Sequence, residues 1–370
     1  MATAYATKVA EGFSRKLLLE MYDRSLIGEI VNREYEGEIN GVGSTLNILN
    51  FDRITERTYT GSDLSTADSL YEANSQLVIN QYKSFYWKEK TLDKWISYIK
   101  NPNPTIMAQK ADERNKNMDE YVLGLYADVG AGNRVGTDYT TGDVTITVTT
   151  GAVAGNGTTF TEAMEGKGFK ADGHDVWYRV KTYTNATTII IEDDLDDIDS
   201  AYTGGAISGG STYTVESATV LAITSSNILA KVAELKQKLD LAESFGLSSV
   251  PDSGRVLIVP PEFETTVIAG SGIALHVPEV YSELIKKGMI GELQGFKVFK
   301  SNRLTGDNTD GYHVMAMHPN WCTFAEKLLE VGIEDLTGNF GKAYKDLFVY
   351  GAKITDARRN FAAEGFWTFS

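Results

Sequence analysis

Cysteine is nearly absent: Cys322 stands alone in 370 residues, so no intrachain disulfide can form and no cysteine-based metal knuckle can be assembled. No window approaches 18 consecutive apolar residues, and Lys8, Glu11, Arg15 and Lys16 interrupt Met1 to Leu19. A membrane span and a secretory signal are therefore not expected. There are four histidines, His174, His276, His313 and His318, too few to offer many routes to a triad or a zinc site. His313 and His318 are five apart in a strand-like run, which sends them to opposite faces. The phosphate loop, the His-Glu-x-x-His helix and the Gly-x-Ser-x-Gly elbow are all missing, and Gly338 to Ala343 has neither the spacing nor the hydroxyl of a phosphate loop. Cys322, between Trp321 and Thr323 with no basic neighbour, reads as a small buried residue rather than a nucleophile. The expectation is a chain that is not an enzyme, with no cofactor, no metal and no catalytic residue.

Positive charge is also short. Against 50 Asp and Glu there are 35 Lys and Arg, a net charge of −15, and such a surface repels phosphate backbones instead of releasing their counterions. Sequence-specific nucleic-acid binding is disfavoured. The densest acidic run, Glu192 to Asp199, has six acidic residues in eight but lacks the turn glycine and closing Glu of a calcium loop, so it reads as a solvated loop.

What is present is a chain rich in turns and strands. Phe13, Leu17, Leu18, Met21, Leu26 and Ile30 make a helical stripe that Asn40 to Gly43 ends. Thr45–Tyr59 and Gln76–Trp87 alternate like strands around a polar tip, Thr60 to Asn74. A two-stranded ribbon is marginal alone; it folds back on its own domain or finds a partner surface. Pro102 and Pro104 open a long helix whose stripe, Met107, Ala111, Asn115, Met118, Val122, Leu125 and Val129, keeps to one face; from Pro104 to Val129 it would run roughly 39 Å. Between Gly142 and Val215 the pattern changes to short β runs, Val144–Val148, Val176–Val180, Thr187–Ile191 and Thr212–Val215, separated by Gly, Asn and Asp. This reads as an inserted small all-β domain. Beyond it, Ile228, Val232, Leu235, Leu239 and Ala242 predict an amphipathic helix ending near Gly246. Arg255–Val259 with Pro260 and Pro261 predicts a buried strand and a helix over 261–269. Further strands are expected at Phe296–Lys300, Tyr312–Met317 and Asp346–Thr355. The class is α+β.

The order of these elements resembles the major capsid proteins of tailed bacteriophages, whose fold is shared with encapsulins and the herpesvirus capsid floor. Leu77 to Phe85 looks like the returning strand of that family's extended loop. Ser253 to Pro261 resembles its axial-domain strand and helix, Gly291 to Asn302 is similar to its Gly-Phe, strand, Ser-Asn passage, and Tyr350 to Thr355 looks like a closing peripheral-domain strand. The segment with Asn156 to Thr161, Trp177 to Val180 and Thr187 to Ile191 resembles a small β-barrel module of phage structural proteins.

The resemblance implies an N-terminal arm at 1–41, an extended loop at 42–90, and a peripheral domain with a spine helix at 91–136. It further implies the inserted domain at 137–217, an axial domain at 218–318 and peripheral return strands at 319–370. It implies a structural coat protein that self-assembles as hexamers and pentamers into an icosahedral head around double-stranded DNA. The expected location is the virion, with synthesis and assembly in the host cytoplasm. Its partners would be itself, a separate scaffolding protein, a portal protein, decoration proteins and packaged genomic DNA held without sequence-specific contact, with no membrane. No Lys lies between Lys16 and Lys83, so crosslinking through the loop is not expected. The resemblance places the ribbon across a neighbour, with Arg53, Glu56, Arg57 and Tyr59 on the ribbon and Glu113, Arg114 and Lys116 on the spine helix as intersubunit contact candidates. Two other readings stay open: an encapsulin-type nanocompartment shell, and a carbohydrate-binding or adhesin protein using Trp177, Tyr178, Tyr183 and Tyr202 of the inserted domain.

Overall fold

A computed structural model describes residues 26–34, 45–51, 72–91, 103–194, 201–242, 249–271 and 289–370. Among them are twenty-one β-strands and four α-helices, numbered here in chain order. They fall into two compact units: the described residues of the first lie within 26–51, 72–122 and 322–353, those of the second within 123–321 and 354–370.

In the first unit, α1 (Ile27–Ile30) leads to Asn32, which bridges Thr323 in parallel. β1 (Thr45–Phe51) and β2 (Glu72–Val78) pair antiparallel from Thr45 opposite Val78 to Phe51 opposite Glu72. β3 (Gln81–Lys90), β19 (Thr323–Asp335) and β20 (Gly341–Lys353) form a sheet in the order β19-β20-β3. The run read as one returning strand, Gln76–Trp87, is therefore two. Strand pairing stops at Ile79 and Asn80; Ile79 is buried and Asn80 accepts a hydrogen bond from Tyr121. The chain then changes partner from β1 to β20, with Gln81 opposite Tyr350. Residues 52–59 of the other expected strand, the polar tip and most of the arm stripe lie outside the described residues.

The stripe on the spine segment is the buried one: Met107, Ala111, Asn115, Met118 and Val122 all face inward on α2 (Asn103–Leu123). The α-helix is shorter than the stripe suggested, because a 3₁₀ turn, Gly124–Asp128, takes over at Gly124, a residue of low helix propensity. Alternation along β20 gives its sheet two working faces. Tyr344, Asp346, Phe348 and Tyr350 share one face, and the latter three meet α2; Val349 on the other meets the β1–β2 ribbon.

The second unit holds two sheets of eight strands each. One is built from β5 (Thr137–Tyr139), β6 (Asp143–Thr147), β7 (Ala152–Asn156), β8 (Gly168–Ala171), β9 (Tyr178–Asn185), β10 (Thr188–Asp193), β11 (Ile207–Ser211) and β12 (Tyr213–Thr219). Its order, β11-β6-β7-β10-β9-β8-β12-β5, is an open path rather than a ring of paired strands. Phe160, Phe169, Val180, Ile189 and Val215 fill a core of its own. These strands are called the module below.

The other sheet runs β13 (Leu221–Ile223), β21 (Ala362–Phe369), β18 (Gly311–Met317), β14 (Val256–Val259), β16 (Phe296–Lys300) and β15 (Met289–Leu293). β17 (Gly306–Asp307) joins β18, and β4 (Arg134–Val135) joins β21 in parallel. α3 (Ile228–Leu241) buries Ile228, Val232, Leu235 and Leu239, as their spacing predicts, and α4 (Pro261–Ser271) follows the fully buried β14. The expected set of return strands at 319–370 divides: β19 and β20 belong to the first unit, whereas β21 pairs with β13 and β18 in the second.

Candidate assembly site

The first unit is organised around one carboxylate. Asp346 sits mid-strand on β20, and its side chain is fully buried. Two cations of α2 converge on it: Arg114 Nη2 is 2.6 Å from Oδ1, and Lys110 donates to Oδ2. Phe85 N–H adds a bond to Oδ1 at 3.1 Å. Lys110 and Arg114 are four apart, so both lie on the sheet-facing side of the helix. Aromatic faces line the site. Lys110 Nζ is 5.0 Å from the Phe85 ring and 5.1 Å from Trp87, and Arg114 lies 4.7 Å from Phe348, while Trp87 stacks on Tyr344 at 4.8 Å. Burial pushes Lys110 down to about 8, against the pull of Asp346, and lowers Arg114 as well.

This geometry corrects one contact candidate. Arg114 is buried within its own chain and cannot present its guanidinium to a neighbour. Glu113 and Lys116 are exposed on the opposite side of α2, Lys116 reaching Glu120 at 3.9 Å. Arg53, Glu56, Arg57 and Tyr59 lie outside the described residues.

The ribbon also differs from the expectation that its apolar side chains wait for a neighbour. Leu46, Ile48, Leu77 and Ile79 are buried against Ala325 and Val349 of the same unit, so the described part of the ribbon folds back on its own domain. Phe85, on β3, turns toward α2. The surface left open is the β3 edge, where β3 has one neighbour, β20, among the described residues. Tyr86 is 59% exposed there and Tyr82 46%, with Lys88 over the Tyr86 ring. Phe340, at the β19–β20 turn, is 88% exposed. Lysines on a free edge discourage indiscriminate strand pairing, and exposed tyrosines offer large amphipathic contact area.

The second unit has its own ionic centre. Arg134 on β4 bonds Glu364 Oε2 on β21 at 2.6 Å and lies 3.5 Å from Glu216 Oε1 on β12. It also donates to the carbonyls of Ala127 and Val129. His313 Nδ1 meets Glu364 Oε1 at 2.5 Å, its ring lying between Tyr126 and Phe366. Burial alone would raise Glu364, yet Arg134, His313 and Lys167 hold it at about 2. Glu216 goes the other way: burial pushes it up to about 7 against Arg134 and the Gly132 N–H.

A cleft of about 780 Å³ opens beside this centre, lined by Asp175, Val176, Trp177, Asp194, Lys238 and Arg359 among others. Of the four aromatics weighed for sugar stacking, Tyr178 and Tyr202 are core residues. Trp177 precedes β9 and is half-buried in the cleft wall, and Tyr183 is packed against the module core. Asp194 is committed to Arg179 and Arg359, and Asp193 to Thr203; Leu195 to Asp199 lie outside the described residues. Among the described residues no group of three or more metal-ligating side chains comes together, and no helix is long and apolar enough to cross a membrane. Lys110, Asp346, Arg134, Glu216 and Glu364 were not singled out from sequence. The one local signal was Lys110 and Arg114 beside the apolar stripe of α2.

No family model matches the sequence, and no curated protein matches it. Solved structures do. The chain is similar to a structure titled Mycobacterium phage Che8, with 17% identity, 92% of this chain and 91% of that one covered, and a TM-score of 0.53. The capsid structure of Cyanophage P-SCSP1u matches at 11% identity over 92% and 87%, TM-score 0.51. The capsid of Ralstonia phage GP4 matches at 11% over 91% and 86%, TM-score 0.51. Each match covers about nine-tenths of the chain, and the fold of this chain is the major capsid fold of tailed bacteriophages.

Proposed function

We propose that the chain is a structural, non-enzymatic shell subunit, the major capsid protein of a tailed phage, assembling as hexamers and pentamers into an icosahedral head around double-stranded DNA. The observation that carries this reading is the capsid fold extending over about 92% of the chain. The net charge of −15 supports it, since an acidic wall does not adsorb the phosphate it encloses. The exposed β3 edge and Phe340 supply surface for many modest contacts, which symmetry multiplies. In this reading the protein resides in the virion after assembly in the host cytoplasm. A separate scaffolding protein, a portal and decoration proteins are its partners, and the genome touches it without base readout. The contacts run through Arg53, Glu56, Arg57 and Tyr59 on one subunit and exposed groups such as Glu113 and Lys116 on the next.

Sedimentation velocity tests this directly. Wild-type protein should form capsomer-sized or larger species. The pair Arg53→Glu with Arg57→Glu, and separately Lys116→Glu, should shift mass toward monomer without changing the melting temperature. Unchanged sedimentation in all of these variants would remove the residues from the interface, and a wild type that stays monomeric at every salt and concentration would oppose the function.

A further inference from the structure

Two passages of chain, 134–137 and 216–221, join the module to the rest of the second unit, and they cross closely. A Cβ on Gly136 would lie 2.2 Å from Ser217 Oγ and 2.9 Å from Ser217 Cα, so a larger residue does not fit. Ser217 has a φ of 49°, the left-handed region that residues with a side chain seldom occupy. Its N–H donates to Asp138 Oδ1 at 2.9 Å. The β12–β5 ladder shifts register between Val215 and Thr219. The root of the module is therefore a narrow crossing with irregular pairing, the kind of place where a hinge opens.

Glu216 is buried at that crossing, and groups from several elements face it. Arg134 approaches from β4, and the Gly132 N–H bonds Oε2 at 2.8 Å. Lys238 on α3 stands close by, its ammonium donating to the Gly132 carbonyl. From the module, Gly168 at the start of β8 packs against it, where a Cβ would come within 2.2 Å of Oε1, and the Lys167 ammonium, 4.0 Å from Glu364 Oε1, adds a positive charge. Glu364 on β21 adds a second negative charge. Asp194 lies further out, engaged by Arg179 and Arg359, and His313 contacts Glu364 rather than Glu216. Arg134 is thus shared between two buried carboxylates, and its short bond goes to Glu364.

We propose that Glu216 is a proton-operated latch at the root of the module. Protonated, it leaves Arg134 to Glu364 and the root stays closed; ionised, it becomes a second desolvated carboxylate beside Glu364 at the crossing and the root loosens. The direction follows from linkage. The closed root holds its proton up to about 7, whereas a solvated Glu216 in an opened root would release it near 4.5. Opening therefore becomes up to tenfold more favourable per pH unit across that window and levels off above it. The latch is independent of the proposed capsid role.

Hydrogen exchange on the full chain at pH 5 and pH 8, corrected for intrinsic exchange chemistry, tests it. Peptides covering 130–137, 214–221 and 362–367 should lose about a hundredfold in protection between the two conditions. Peptides covering the buried strand at 256–259 should not. Glu216→Gln, neutral at both pH values, should be protected equally at both, and His313→Gln should keep the wild-type response. A wild-type root insensitive to pH, a loss spread evenly over 256–259 as well, or a response that survives in Glu216→Gln or vanishes in His313→Gln would each overturn the proposal.

Discussion

The two units bury ionic centres that are charge opposites. In the first, two cations of α2 share Asp346; in the second, two carboxylates share Arg134. Each centre has a member whose pKa moves toward neutrality, Lys110 downward to about 8 and Glu216 upward to about 7, both driven by burial. In the second centre Glu364, which has the short bond to Arg134, moves the opposite way and is held at about 2. Burial is the largest cause for both Lys110 and Glu216, so the direction in which each centre responds to pH follows from whether the desolvated group is a cation or a carboxylate.

The comparison can be broken most severely at the shared groups. Arg134→Leu should cost about 3–5 kcal/mol in denaturant unfolding, because it takes the shared guanidinium from two buried carboxylates and removes the donor to the Ala127 and Val129 carbonyls. Asp346→Ala should cost slightly less, about 3 kcal/mol, since the rings of Phe85, Trp87 and Phe348 still face the two cations. A larger loss at Asp346 than at Arg134 would reverse the ranking.

The next effect is one of pH. Glu216 is raised from 4.5 to about 7, so it contributes stability that is complete below 4.5 and lost as pH rises through 7. At about 1.4 kcal/mol per unit this amounts to on the order of 3 kcal/mol. Glu364 is lowered to about 2, so its contribution is present above 4.5 and lost as pH falls through 2. Lys110 is lowered from 10.5 to about 8, and its protonation opposes folding; the first unit should gain stability from pH 8 toward 10.5, while the second gains nothing there from Glu216. Region-resolved hydrogen exchange should show the gain in the first unit between pH 8 and 10.5, and Lys110→Met should abolish it. The smallest change is expected at the exposed Lys116–Glu120 pair, where Lys116→Ala should alter stability by less than about 0.5 kcal/mol.

The elements readable from sequence were those whose signal is local. The stripe from Met107 to Val122, the four apolar positions of α3 and the apolar run before Pro260 each buried the face that their spacing marked. β21 was not read because Ala362, Ala363 and Gly365 carry little strand propensity. It is nonetheless covered on both sides by β13 and β18. The ionic centres were hidden for another reason: Arg134 and Glu364 are 230 positions apart, Lys110 and Asp346 are 236, and nothing in either local sequence announces the other. The ribbon's alternation was visible, but alternation alone does not say which surface covers it. Its apolar side chains found Ala325 and Val349 at home, and the exposed apolar and aromatic surface among the described residues is at the β3 edge and Phe340 instead.

The central claim is that this fold builds a shell. Negative-stain electron microscopy of the protein expressed alone and with a candidate scaffolding protein addresses it most directly. Closed icosahedral particles, or hexameric and pentameric rings, are the predicted result. A uniform monomer under every condition of salt, concentration and scaffold would contradict it.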